Sequence, residues 1–198
     1  MNDCSRCPSL CVNRIQIVHP TPSPTAGLLA IGEAPGEDEA IVGEGFVGSS
    51  GKRLDKVMAE FGIHRSDYGR ANICRCRPPN NRRPTTAEKD NCMPLLVDFI
   101  AAVKPRVLLL VGLTAAKPFF GKSGLLECIE VAEKQDFRFD PALAHHALKA
   151  LSEVHNLELK VIPMPHTSGL SWNRKTPSGE PWSTIGRIQI EKALGALR

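Results

Sequence analysis

The chain has 198 residues, enough to bury a core without disulfide staples, and its net charge of +4 is too small to identify a polyanion-binding protein by itself. Its opening residues, "MNDCSRCPSL", lack the apolar core of a signal peptide, and the longest aliphatic run, "VLLLV" at 107–111, is too short to cross a bilayer; a soluble, cytoplasmic protein is expected. Seven cysteines, an odd number, argue against a paired disulfide framework and make metal ligation the leading explanation, with scattered core cysteines as the alternative.

In chain order, a cysteine-bearing tail (1–25) leads through the proline-rich connector "HPTPSPTAG" into apolar β-rich runs at about 28–32, 70–74, 106–112 and 159–164. Helical patterns alternate with them at about 50–61, 86–103, 113–119 and 183–197, the rhythm of a parallel sheet covered on both faces, in one α/β domain. In "TTAEKDNCMPLLVDFIAAV", Thr86 is a candidate N-cap ahead of an apolar face at Leu95, Leu96, Phe99 and Ile100. Residues 121–156 fit the alternation less well, and "PALAHHALKALSEVH" reads as an extra helix.

Ligands of open α/β sheets bind where strands give way to loops. After the first run, "GEAPGEDEAIVGEGFVGSSG" (32–51) places six glycines and five carboxylates in one loop. Walker A spacing is absent: the position five residues before the Gly-Lys pair is Phe46 in one case and Ala116 in the other, and "GEAPG" is not GxGxxG. The carboxylates Glu33, Glu37, Asp38, Glu39 and Glu44 would repel a phosphate, which suits the loop to a neutral ligand or to water. Phe46, between Gly45 and Gly48, reads as an aromatic plate on a flexible mount for stacking on a planar ring, an ordinary core phenylalanine being the alternative. After the second run, "RCRPPNNRR" gathers Arg75, Arg77, Arg82 and Arg83, a basic loop suited to phosphate contacts or simply to solvent.

Cys4 and Cys7 form C-x2-C, and Cys76 and Cys92 follow with fifteen residues between them. Four thiolates from distant segments suit a structural zinc or an iron-sulfur cluster; zinc ribbons use two close C-x2-C pairs, which favours the cluster. Cys11 or Cys74 could replace a member of the set, whereas Cys128 reads as a buried apolar residue.

"GEAPGEDEAIVGEGFVGSSGKRL", "NICRCRPPNNRRPTTAEKDNC" and the late "PMPH" resemble, in order and spacing, the iron-sulfur uracil-DNA glycosylases called family 4, over about residues 26–120 and including the C-x2-C. The resemblance implies a three-layer αβα fold with a central four-stranded parallel sheet, and a [4Fe-4S] cluster held by Cys4, Cys7, Cys76 and Cys92. It implies monofunctional removal of uracil from DNA by a monomer. Phe46 would then stack on a flipped base, and the Asn72 amide would read the N3 and O4 edge of uracil, the alternative being that it satisfies backbone at a strand end. His166 in "PMPH" would stabilise charge at O2 of the leaving base. The other histidines, at 19, 64, 145, 146 and 155, read as surface or helix positions. Glu33 and Ala34 hold the place where related glycosylases keep a water-activating residue, so that water would be positioned by Glu33 or by backbone groups of residues 34–37, and Glu39 would approach C5 of the base. The arginines of the basic loop, with Arg174 and Lys175, would hold phosphates, and the acidic loop would face the developing positive charge of the sugar.

The chain departs from the family after the fourth strand. Thr167 stands where family members usually have proline, which is expected to relax the turn, and "SGLS" is similar to a loop of mismatch-specific glycosylases that pushes a side chain into the vacated stack; Leu170, Trp172 and Arg174 are candidates for that wedge. The alternatives are a glycosylase for another deaminated base, a non-catalytic nucleic-acid-binding iron-sulfur protein on this fold, and a zinc-stapled domain of unrelated activity. A related group that links covalently to DNA carries an inserted basic, histidine-bearing loop, which 36–46 lacks.

Overall fold

The computed structural model describes residues 4–25, 27–154 and 158–198. Helix α1 (Pro8–Cys11) lies in the cysteine-bearing segment. Strand β1 (Leu28–Gly32) is followed by α2 (Glu37–Val42) and α3 (Ser49–Ala59), then by β2 (Gly69–Asn72) and α4 (Thr86–Val103). Strand β3 (Val107–Val111) leads to α5 (Leu113–Phe120) and α6 (Leu125–Lys134), and α7 (Leu151–Val154) precedes β4 (Lys160–Met164). The short α8 (Gly169–Trp172) and the long α9 (Trp182–Gly195) complete the order.

All pairings are parallel in the order β2-β1-β3-β4. The central strands, "LLAIG" and "VLLLV", are buried at every position, as strands covered on both faces require. Period-two alternation sends Leu29, Ile31, Leu108 and Leu110 toward α4, α5 and α6, and Leu28, Ala30, Leu109 and Val111 toward α3 and α9. The result is the three-layer αβα arrangement expected. Pro163, which cannot donate to a ladder, lies in β4, an edge strand. β2, on the other edge, is flanked by the N-terminal segment: Thr21 and Arg70 exchange backbone hydrogen bonds at 2.8 Å each, and Val18 N donates to Arg75 O.

Four sequence expectations need correction. The acidic loop contains a helix, α2, whose first turn holds Glu37, Asp38 and Glu39 near the positive end of its backbone. The α4 N-cap is Thr85, not Thr86, because Thr85 Oγ1 accepts from Glu88 N while the Glu88 carboxylate accepts from Thr85 N, a reciprocal capping box. Residues 121–156 contribute the regular helix α6. The predicted extra helix is a 3-10 turn (His146–Ala150) running into α7, and His155 lies outside the described residues.

Candidate active site

Because the strands are parallel, their carboxyl ends share one edge, and the chain reverses from β2 to β3 on either side of β1 there. A groove of about 1120 Å³ opens at that edge. Gly32 and Glu33 line it from β1, Asn72 from β2, Gly112 from β3 and His166 from β4, with Phe46 from the loop before α3. Ala34, Glu39, Arg82, Arg83, Leu170 and Arg174 also line it. Arg75, Arg77 and Lys175 do not.

At the floor, Phe46 and Asn72 close over Gly32. A Cβ there would lie 2.5 Å from Asn72 Oδ1 and 2.9 Å from Phe46 Cζ, so only glycine lets both side chains reach this position. The Asn72 side-chain amide lines the groove and makes no hydrogen bond among the described residues, so its donors and acceptor are unused by the protein.

Phe46 is no flexible plate. It is 8 % exposed, packs with the α3–α9 core, and adopts φ 62°, a left-handed conformation costly for a side chain of this size. Arg65 holds it: Nη1 donates to Phe46 O and Nη2 to Gly45 O, each at 2.8 Å, while Glu44 and Asp55 pair with the same guanidinium. Sequence reading missed Arg65, since an arginine in the 3-10 turn before β2 carries no periodic or motif signal.

His166 stands opposite. Its Nδ1 accepts a 3.1 Å hydrogen bond from Ser168 N, which leaves the proton on Nε2 as a donor. Burial lowers its pKa below the ordinary histidine value, opposed by the nearby Glu33 carboxylate. The imidazole is therefore neutral at physiological pH. The Glu33 carboxylate forms no hydrogen bond or ion pair among the described residues, while its backbone carbonyl accepts from Cys74 N at 3.0 Å.

Glu33, Glu37, Asp38 and Glu39 of the 32–51 loop line the groove, and several of the loop's carboxylates also bind within the protein. Glu39 accepts from Gly36 N and Gly48 N at 3.0 and 2.8 Å, stapling the starts of α2 and α3 together. Glu44 pairs with Arg65 and with Arg70 of β2, which hold its pKa below the usual carboxylate range, and Glu37 faces Arg77 at 3.5 Å. Three of the five carboxylates thus anchor the loop.

The basic residues divide likewise. Arg75 donates to Leu95 O of α4, and Arg77 to Asn81 Oδ1. Arg82 binds both oxygens of Glu88, at 2.6 and 2.8 Å, and holds its pKa down at about 2. Arg83 and Arg174 are exposed on the groove, and their guanidinium groups make no hydrogen bond or ion pair among the described residues. Leu170 is 70 % exposed at the rim, whereas Trp172, two residues on, is buried in the α3–α9 core and cannot act as a wedge.

Behind the basic loop, Cys4, Cys7, Cys76 and Cys92 line a second cavity of about 240 Å³, with Cys74 buried at its wall. Asn91 Nδ2 approaches Cys7 Sγ at 3.7 Å, Arg75 N approaches Cys92 Sγ at 3.4 Å, and Arg14 lies 4.0 Å from Cys76 Sγ. Cys11 does not line the cavity; its thiol points to Cys4 O. Among the described residues, no three Cys, His, Asp or Glu side chains are gathered as single-ion ligands, whose thiolates would meet around one center at about 2.3 Å.

Residues 19–185 match the profile of the uracil DNA glycosylase superfamily. Proteins named type-4 uracil-DNA glycosylase align with this chain: 43 % identity over 95 residues for that of Archaeoglobus fulgidus, covering 48 % of each chain, and 37 % over 117 residues for that of Pyrobaculum aerophilum, covering 59 % of each. The protein of that name from Thermotoga maritima is 38 % identical over 116 residues, 59 % of this chain and 60 % of its own. The chain thus spans about half to three-fifths of the length of these relatives. No helix among the described residues is long and apolar enough to cross a membrane.

Proposed function

The chain belongs to the uracil DNA glycosylase superfamily, and from that premise we propose that it hydrolyses the N-glycosidic bond of deoxyuridine in DNA, leaving an abasic site. The observation that carries this reading is the meeting of Phe46, Asn72 and His166 around one groove at the carboxyl edge of the sheet. A base inside a duplex is out of reach, so the nucleotide must be extruded at a cost of a few kcal/mol. Phe46, rigidly held, would offset part of that cost by stacking on the ring, and the unpaired Asn72 amide would read its polar edge. As the bond lengthens, the base departs with the electron pair, and the Nε2–H of neutral His166 would donate to the oxygen where negative charge gathers. Water would add to C1′ and pass its proton to the Glu33 carboxylate, which makes no side-chain hydrogen bond or ion pair among the described residues and would return the proton to solvent as the base anion leaves. Arg83 and Arg174 would hold flanking phosphates, and Leu170 would enter the vacated stack. The protein would act inside the cell as a monomer on single- or double-stranded DNA.

The second cavity suits an iron-sulfur cluster: Cys4, Cys7, Cys76 and Cys92 all line it, from the N-terminal segment and from the region around α4. Cys4, Cys7, Cys76 and Cys92 would hold a [4Fe-4S] cluster, which would supply a covalent staple between the 1–25 segment and the core. That segment already meets α4 through Ser9 Oγ to Glu88 at 3.1 Å and through reciprocal Arg6 and Asn91 hydrogen bonds.

Release of free base from labelled oligonucleotides, single- and double-stranded, carrying uracil or another deaminated base, tests the reading. Uracil should be released fastest, and His166→Ala should slow that release. Binding without release from any of them would overturn it.

A further inference from the structure

We propose that Thr167, together with Arg53, is a positioning residue that sets the His166 imidazole at a fixed distance from Phe46; the assignment rests on the glycosylase reading. The turn after β4 is not relaxed by having threonine. Thr167 is wholly buried, its hydroxyl donates to Ser50 O at 2.8 Å, and its carbonyl accepts from Arg53 Nη1 at 2.6 Å. Both partners lie in the first turns of α3, more than a hundred positions away in sequence.

The same turn of helix carries Phe46 on its other side. A Cβ at Gly51 would fall 2.0 Å from Phe46 O and 2.5 Å from its Cα, so the phenylalanine backbone lies directly against the helix residue next to Ser50. The path from ring to ring is therefore short: Phe46 backbone on Gly51, Ser50 O to the Thr167 hydroxyl, and Thr167 to His166 through one peptide bond. Proline at this position would restrict the backbone but offer no hydroxyl and so no tie to α3. Threonine fixes the histidine against the opposite wall of the groove instead of against its own strand.

A buried polar group is retained when it is fully hydrogen-bonded, and here the partner it selects belongs to the stacking wall. Displacement of a charge-stabilising donor by a fraction of the reach of a hydrogen bond costs rate without costing affinity, because the donor acts mainly as charge develops. Its Nε2–H is the group whose placement would change, since Ser168 N already fixes Nδ1.

The test is single-turnover uracil release from a single-stranded oligonucleotide by wild type, Thr167→Val, Thr167→Ser, His166→Ala and the Thr167→Val/His166→Ala double variant, with binding to an abasic-site oligonucleotide measured alongside. Thr167→Val, nearly isosteric but without the donor, should slow release roughly tenfold while product affinity changes less than about twofold. Thr167→Ser, which keeps the hydroxyl, should recover the rate to within about threefold, and Thr167→Val should add nothing once His166 is alanine. An undiminished rate in Thr167→Val, or an equal fold-loss with and without His166, would overturn the assignment. If Thr167→Val does not fold, Arg53→Met removes the other tie and enters the same cycle. Wild-type protein that releases no uracil would overturn the glycosylase reading and this assignment with it, whereas an active wild type matched by Thr167→Val would overturn this assignment alone.

Discussion

Arg65 holds Phe46 in a backbone conformation that the phenylalanine would not adopt alone: a 2.8 Å hydrogen bond joins the guanidinium to the Phe46 carbonyl, and φ there is 62°. The arrangement is overdetermined by charge, because Glu44 and Asp55 flank the guanidinium and Tyr68 O–H donates to the other Asp55 oxygen. Burial and that anionic partner push the Tyr68 phenol far up, so it stays a donor at any working pH.

Arg65→Met should therefore act on both stability and function. Two backbone carbonyls and two carboxylates lose a donor, and since the guanidinium is partly solvated the expected loss is roughly 2–3 kcal/mol, read as a lower denaturant midpoint. Uracil release should fall further than the folded fraction explains, because Phe46 is freed to leave the left-handed region.

His166→Ala should slow uracil release by roughly a hundredfold or more, the effect of losing one preorganised donor. The wild-type acid limb should lie below the ordinary histidine pKa, since burial depresses that of His166. The neutral imidazole is the donor with Nδ1 accepting from Ser168 N, so activity is retained at neutral pH and lost as pH falls through the depressed pKa. The same depression makes the His166 contribution to stability present above the unfolded value and lost on acidification. A pH profile that keeps this limb in His166→Ala would assign it to another group.

Asn72→Leu keeps the volume of the side chain and removes its donor and acceptor. Uracil release at subsaturating substrate should fall by roughly a hundredfold, as for a site that recognises a base by hydrogen bonds it can no longer make. A change in kcat/KM of less than about threefold would reduce Asn72 to a strand-end residue.

How much of this was legible follows from which interactions are local. The central strands are continuous apolar runs, so β1 was read at its observed limits and β3 to within a residue, and the α4 limits were given by its periodicity and terminal "VKP", although the residue read as its cap was one position late. Asn72, His166 and Phe46 stand at strand ends or between glycines, where motif and position coincide. What sequence could not give were long-range pairings: Glu39 stapling two helix starts, Arg82 bound to Glu88, Thr167 tied to Ser50. An acidic loop looks the same in sequence whether its carboxylates face a ligand or its own backbone.

The Arg82 and Glu88 pair joins the groove to the cysteine cavity, because Glu88 lines that cavity and Arg82 the groove. Glu88→Gln should destabilise the fold by about 2 kcal/mol through the lost charge-assisted pair. Since the Glu88 carboxyl is depressed to about 2 in the folded state, its contribution is complete above the ordinary glutamate value and is lost as pH falls toward 2. The stability difference between wild type and Glu88→Gln should therefore narrow on acidification across that window. A constant difference would locate the effect in packing.

Leu170 and Trp172 separate an exposed rim position from the core within one turn of helix. Trp172 is 5 % exposed and packs with Ile190 and Ala193 of α9, with Arg187 5.9 Å above its ring, so Trp172→Ala should cost about 3–5 kcal/mol as a core cavity. Leu170, 70 % exposed, buries little of its side chain in the free protein, and Leu170→Ala should leave the melting temperature within about a degree of wild type. Its effect should appear only against DNA. In a duplex the flipped nucleotide leaves a gap that an apolar side chain fills, while a single strand has no partner stack to restore. Uracil release from duplex should therefore slow more than release from single strands, and an equal loss on both substrates would remove Leu170 from the wedge role and leave Arg174, the other exposed candidate on that rim.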